Sequence, residues 1–160
     1  MKINTQKQNE ISKADVLATY DYDPDIGIFT RKNTGKPAGT NKAGYCILNL
    51  CRRQVYGHRA AMLLNTGSWP DDLVDHINGK KNDNRACNLR IASKAQNGAN
   101  SHFCARAKSQ MKGVYYQSNT TKWRAKAADA HIGYFDTKEE AHEAYREFMR
   151  RKYGDYAGAA

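Results

Sequence analysis

The centre of the chain runs Val74-Asp75-His76-Ile77-Asn78-Gly79 and continues through Asn82-Asp83-Asn84-Arg85 and Asn88-Leu89-Arg90 to Gln96-Asn97. Leu73, Val74, Asp75, His76 and Ile77 form a brief run with β-branched members, which predicts a strand. It runs into Asn78-Gly79, the strongest short hairpin signal in the sequence. A second extended piece is expected at 88–91. Ser93 then stands as an N-cap with Gln96 at the third helical position, a capping box that opens a helix to about Asn100. The expected order is strand, turn, strand, helix.

This frame gathers a carboxylate, an imidazole and several amides in basic surroundings. Hydrolysis of a phosphodiester needs a base to activate water, a hard cation to offset charge on the phosphoryl and leaving oxygens, and groups that hold both in place. Asp75 and the side-chain oxygen of Asn97 are hard donors suited to magnesium. His76 is the candidate base, because a free imidazole titrates near pH 6.5. Asn88 is placed to orient the imidazole or its loop. Neighbours on a flat strand point to opposite faces, so Asp75 and His76 serve one phosphate only if the chain bends there. The helix opening at Ser93 also sets free backbone N–H groups beside Asn97, which favours a bound phosphate. The bland alternative makes Asp75 and Asn78 turn formers and His76 a packed histidine.

Charge supports a polyanionic partner. The 160 residues carry 26 Lys plus Arg against 16 Asp plus Glu, a net charge of +10. Residues 26–70 contain no acid and the seven bases Arg31, Lys32, Lys36, Lys42, Arg52, Arg53 and Arg59. Residues 76–128 contain eleven bases and a single acid, Asp83. Fields of one sign on this scale favour nucleic acid. The basic stretches lack the helical apolar stripe of a membrane-surface binder. No apolar run approaches the roughly 20 residues of a membrane span, and MKINTQKQNE has no apolar core of a signal peptide. A cytoplasmic protein is expected. Cys46, Cys51, Cys87 and Cys104 form no CxxC pair and read as ordinary reduced thiols. A zinc site from Cys87, Cys104 and His102 is a minor alternative.

Upstream, Ser12 with Asp15 signals a short capped helix ending before Asp23-Pro24-Asp25. Residues 26–58 read as a small antiparallel sheet: Ile26, Ile28 and Thr30 alternate, followed by extended pieces at 45–50 and 54–58. A short apolar helix is expected at 59–66, stopped by Gly67. Downstream, 101–111 reads as a linker. Val114 and Tyr116, then Trp123, Ala125 and Ala127, then Ile132 and Tyr134 suggest three short strands, with turns at Asn119-Thr120 and Asp129-Ala130. Thr137 and Glu140 form the capping box of a last helix. Its stripe of Ala141, Ala144, Tyr145, Phe148 and Met149 must bury against that sheet, and Gly154 fits the exit.

At Asp75-His76, the Asn-Gly turn, Asp83-Asn84-Arg85, Asn88-Leu89-Arg90 and Asn97 the chain resembles the HNH endonucleases. It resembles more closely the phage-type homing endonucleases in which asparagine replaces the last histidine. The resemblance implies a ββα-metal core, with Asp75 and Asn97 binding the metal, His76 as general base and Asn88 orienting it. It implies a divalent cofactor, Mg2+ first and Mn2+ as alternative. Asn100 and His102 are alternative completions of the metal site, and Arg85 and Arg90 are candidate phosphate contacts. Tyr56-Gly57-His58-Arg59 also looks like the family's approach to the motif. His58 is therefore a candidate supporting residue of the site, with a plain structural histidine equally open.

Lys112-Gly113-Val114-Tyr115-Tyr116, Lys122-Trp123-Arg124-Ala125, His131-Ile132-Gly133-Tyr134-Phe135-Asp136-Thr137, Glu139-Glu140-Ala141, Ala144-Tyr145 and Gly154-Asp155-Tyr156-Ala157 resemble an Apetala or ethylene-response-factor DNA-binding domain. That family lays a three-stranded sheet in the major groove and backs it with one helix. The resemblance places Tyr115, Gln117, Lys122, Arg124 and Lys126 on the DNA-facing surface, with His131 behind them. Trp123 either stacks on DNA or packs on the helix. The plant members carry arginines where this chain has Tyr115 and Gln117, so no base preference is carried over.

The sequence therefore leads to an α+β chain. Residues 1–100 form an HNH endonuclease domain with its N-terminal sheet, 101–111 a linker and 112–157 a DNA-binding domain. The expected activity is metal-dependent cleavage of double-stranded DNA by a mobile or homing-type nuclease. Neither a small-molecule substrate nor a membrane is expected, and the chain should be a monomer or weak dimer. The rival is a non-catalytic, sequence-specific DNA-binding regulator on the same fold.

Overall fold

A helix at Lys13–Thr19 (α1) opens the first unit of the computed structural model, which describes residues 10–101, 109–127 and 130–158. Ser12 caps α1. Its hydroxyl accepts from the Asp15 amide at 3.2 Å, and the Asp15 carboxylate accepts from the Ser12 amide at 2.8 Å. The expected capping box is present.

The chain then turns extended earlier than expected. Tyr20–Asp23 (β1) pairs antiparallel with Ile28–Arg31 (β2), Tyr22 opposite Phe29. The sequence reading continued the helix towards Asp23. Yet Tyr20-Asp21-Tyr22-Asp23 alternates aromatic with acid, and that period of two sends Tyr20 into the core while Asp21 faces water. The Asp23 carboxylate accepts from the amides of Asp25 and Ile26, at 2.9 and 3.2 Å, and closes the turn. The following strands are Ile47–Leu50 (β3) and Arg53–Tyr56 (β4). Their two-residue turn puts Cys51 and Arg52 at φ +48° and +60°, the left-handed pair that a tight hairpin requires. The single N-terminal sheet expected from sequence is thus two separate hairpins. Helix Gly57–Thr66 (α2) starts two residues before the expected Arg59 and takes His58 out of the extended segment. Gly67, at φ +86°, closes it with a hydrogen bond to the Leu63 carbonyl.

Val16, Tyr20, Phe29, Leu48, Leu50, Val55, Ala60, Ala61 and Leu63 fill the first core, and Leu89 joins it from the motif. Leu73–His76 (β5) pairs antiparallel with Leu89–Ala92 (β6), so the predicted strand, turn and strand are present.

By contact density the units divide as Met1–Ser93 and Lys94–Ala160. The helix Lys94–Asn100 (α3), assigned from sequence to the nuclease domain, is thus counted with the second unit. The physical reason is local. Ala99 joins the second core, and Lys112 Nζ donates to the carbonyls of Ala99 and Ser101 at 2.7 and 2.5 Å, holding the helix end.

The second unit has the expected three-stranded antiparallel sheet, Val114–Gln117 (β7), Lys122–Ala127 (β8) and Ala130–Phe135 (β9), backed by the helix Lys138–Tyr153 (α4). Thr137 and Glu140 form its capping box. Ala141, Tyr145 and Met149 are buried on Val114, Ala125 and Ala127. Trp123 packs, half-buried, at the edge of this core, with the Tyr116 ring 5.1 Å away. The expected turn at 129–130 begins outside the described residues, as do His102, Cys104 and most of the expected linker. Among the described residues no helix is long and apolar enough to cross a membrane.

Candidate active site

The pairing of β5 with β6 sets Asp75 opposite Arg90 and His76 opposite Leu89. Both Asp75 and His76 are buried. Arg90 Nε and one terminal guanidinium nitrogen reach the same Asp75 oxygen, at 2.9 and 2.8 Å. At 5% and 14% side-chain exposure this is a buried pair.

The loop after His76 is built around amides. Gly79, at φ +69°, donates its N–H to the His76 carbonyl at 2.8 Å, and Ile77 N donates to the Asn88 carbonyl. Asn88 clamps the loop. Its oxygen accepts from Asn78 N at 3.0 Å, and its amide nitrogen donates to the Asn78 side chain and the Asp83 carbonyl, at 3.0 and 2.8 Å. These bonds hold the loop, one of the two duties expected for Asn88. Asp83 accepts from Asn78 and forms a two-point bond with Arg85 at 2.8 and 2.7 Å. The Arg85 bonds hold the Asp83 carboxyl down at about 2, with help from Asn78. Arg85 and Arg90, expected on phosphate, are thus each bound to an acid of the motif.

The residue on the imidazole is Asn84, which sequence reasoning placed in the motif without a role. It is 1% exposed, and its Oδ1 lies 3.2 Å from His76 Nε2. Its amide nitrogen faces the Asn82 carbonyl, which directs Oδ1 at the ring. An amide oxygen there requires the Nε2–H tautomer, so the lone pair sits on Nδ1. Asn84 is braced from outside the motif. The Tyr22 hydroxyl donates to its carbonyl at 2.8 Å, and Ala86 N donates to the Pro24 carbonyl at 2.9 Å. Gly27, at φ +73°, lies so close that a Cβ there would stand 2.4 Å from Arg85 N and 2.6 Å from the Asn84 carbonyl carbon. Only burial and long-range contacts mark Asn84 out, so a local pattern could not have found it.

Tyr56-Gly57-His58-Arg59 forms the other wall. Gly57 leaves no room for a side chain, since its Cβ would meet Cys46 Sγ at 2.8 Å. His58 lies edge to face with His76, ring centroids 5.1 Å apart, and stacks on Tyr56 at 5.3 Å. Tyr45 sits against both histidines, with Lys81 Nζ 5.1 Å above its ring. His58 Nδ1 is buried with no hydrogen-bond partner among the described residues. Burial, then the neighbouring His76 and Arg59, pushes its pKa down to about 3 and keeps it neutral. Burial also lowers the His76 pKa, against the opposing Asn84 bond and the Asp75 and Asp83 charges. Arg59 donates to the carbonyls of Pro70 and Asp72, at 2.8 and 3.2 Å, and pins the chain entering β5.

The first unit therefore brings together Asp75, His76, Asn88, Arg85, Arg90 and His58. Asn97 stands on α3 of the second unit. Asn100, its alternative, is buried beside Gly158, whose Cβ would fall 2.6 Å from the Asn100 side-chain oxygen. Among the described residues no three His, Cys, Asp or Glu gather as a metal cluster. The donors that remain are carboxylate and amide oxygens, which suit a hard divalent cation in kind. Cys46, Cys51 and Cys87 are free thiols. On the sheet, register places Tyr115 beside Arg124, Gln117 beside Lys122, and Lys126 beside His131. Lys122 also pairs with Asp136 at 3.1 Å.

A protein-family model described as HNH endonuclease matches residues 55–99, from within β4 to α3. The match supports a nuclease whose substrate is DNA. No curated protein and no solved structure matches the chain.

Proposed function

We propose that the chain is a metal-dependent HNH endonuclease of the phage-type mobile or homing kind that hydrolyses phosphodiester bonds in double-stranded DNA. The observation that carries this reading is His76, buried beside the Asp75–Arg90 pair and held through Nε2 by Asn84. Its Nδ1 takes a proton from water, the oxygen attacks phosphorus, and the bond to the 3′ oxygen breaks. That oxygen leaves and is protonated from solvent, giving 5′-phosphate and 3′-hydroxyl ends. Asn84 keeps the imidazole in the accepting tautomer, and Asn88 keeps the loop from moving it. By the resemblance to the HNH family, Asp75 and Asn97 are the residues that would hold the divalent ion, Mg2+ first. When bound, such an ion supplies positive charge to the scissile phosphate and the departing oxygen.

The three-stranded sheet, with Tyr115, Gln117, Lys122, Arg124 and Lys126, grips the duplex in this account. Incubating the protein with plasmid DNA and Mg2+, with and without chelator, tests the proposal. Chelator-sensitive cutting that leaves 5′-phosphate ends is expected. Tight binding with no cutting under any divalent ion would leave the non-catalytic regulator.

A further inference from the structure

The second unit holds a cleft of about 740 Å³, lined in part by residues of the sheet proposed to grip the duplex. It lies between α3, the start of β7 and α4, within the roughly 300–1,000 Å³ range of sites for small organic groups. Its chemistry is uneven in a telling way. Tyr145 forms part of the floor, buried and flat against Gly113, whose Cβ would fall 2.1 Å from the ring. Tyr115 and Tyr153 add two more aromatic walls, and Lys94, Arg124 and Lys126 bring positive charge. No acid lines it. Arg124 lies over the Tyr115 ring at 5.7 Å, and its Nε is buried with no hydrogen-bond partner among the described residues. A buried donor without an acceptor costs free energy unless a ligand supplies one.

We propose that this cleft binds one unpaired nucleotide of a DNA strand, its base against the tyrosines and its phosphate on Arg124 and the lysines. Duplex DNA keeps its base faces stacked and cannot use aromatic walls in this way. An unpaired nucleotide presents a ring face and a phosphate together. Tyr115, Arg124 and Lys126 also belong to the sheet proposed to hold the duplex, so a strand leaving the duplex passes directly into the cleft. The inference rests on the DNA-nuclease reading and narrows its substrate to duplexes that carry an unpaired nucleotide, such as a bulge or a junction.

Gly98 and Ala95 make the test clean. Both line the cleft from the exposed side of α3, and a Cβ on Gly98 meets no atom within 4 Å. Gly98→Phe and Ala95→Phe should fill the cleft without disturbing the sheet, and either suffices if the other fails to fold. Affinity is measured by fluorescence anisotropy for a blunt duplex, the same duplex with a one-nucleotide bulge, and a single-stranded oligonucleotide, with free deoxynucleoside monophosphate as competitor. The expected result is a loss of about tenfold on the bulged and single-stranded DNA, the size of one stacking contact, with blunt-duplex affinity unchanged. Equal losses on all three DNAs, or none, overturn the proposal. So does displacement of the oligonucleotide by the free nucleotide at equal concentration, which would make the cleft a free-nucleotide site. Cleavage by His76 is read separately, so failure here leaves the nuclease reading standing.

Discussion

His76 needs three things from its neighbours: a fixed ring, a lone pair on the correct nitrogen and a low proton affinity. Asn84 provides the first two, and burial provides the third. Asn84→Ala should therefore slow cleavage by roughly 10 to 100-fold, the scale of a misplaced catalytic group, while leaving DNA affinity intact. Single-turnover kinetics at saturating enzyme measures this. Because burial lowers the His76 pKa from 6.5, the acid limb of the rate–pH profile should fall below that value, and a limb above it would contradict the environment described. His58 makes a stability statement with a definite sign. Its pKa is about 3 folded against 6.5 unfolded, so between these values the unfolded chain binds the extra proton. Its contribution is full above pH 6.5 and is lost as pH falls towards 3. The melting temperature should drop across that interval, and His58→Phe should flatten the slope.

Between elements, the link that matters most runs from the β1–β2 turn to the motif loop. Gly27 and Gly35 both require a left-handed backbone, at φ +73° and +65°, but only Gly27 abuts other atoms, the backbone of Asn84 and Arg85. Gly35→Ala should cost about 1 kcal/mol for the backbone strain alone. Gly27→Ala should cost roughly 3 kcal/mol and slow cleavage as well, because it pushes on Asn84. Equal costs from chemical denaturation would show that the turn does not brace the site. The capped helices, the three-stranded sheet and the β5–β6 pair were legible in the sequence because capping boxes and apolar periods are local signals. Strand β1 was legible too, in Tyr20-Asp21-Tyr22-Asp23, but a helix start at Ser12 drew the reading past it. The bracing of Asn84 was not legible. It depends on Tyr22, Pro24 and Gly27, about sixty residues earlier, and only the folded core brings them to the loop. The same holds for α3, whose start a local signal at Ser93 marks in the sequence while Ala99 and Lys112 set the unit it packs with.

Across the whole chain, the net charge of +10 is divided evenly between the first unit and the second. If both touch DNA, binding should weaken steeply with salt, log K falling by about 0.9 per decade of salt for each phosphate neutralised. Replacing Arg124 and Lys126 together should make that slope shallower. Truncation after residue 111 should do more than weaken binding, because it removes Lys112 and the core against which Ala99 packs, and so frees the helix that carries Asn97. The loss of α3 protection would appear in amide hydrogen exchange. The central claim, that this is a cutting enzyme with His76 as its base, is tested most directly by single-turnover cleavage of duplex DNA in Mg2+ by wild type and His76→Ala at equal DNA occupancy. The account predicts at least about a hundredfold slower cutting by the variant, the lower end of a general-base contribution, with unchanged DNA affinity. Equal rates for the two proteins would contradict it.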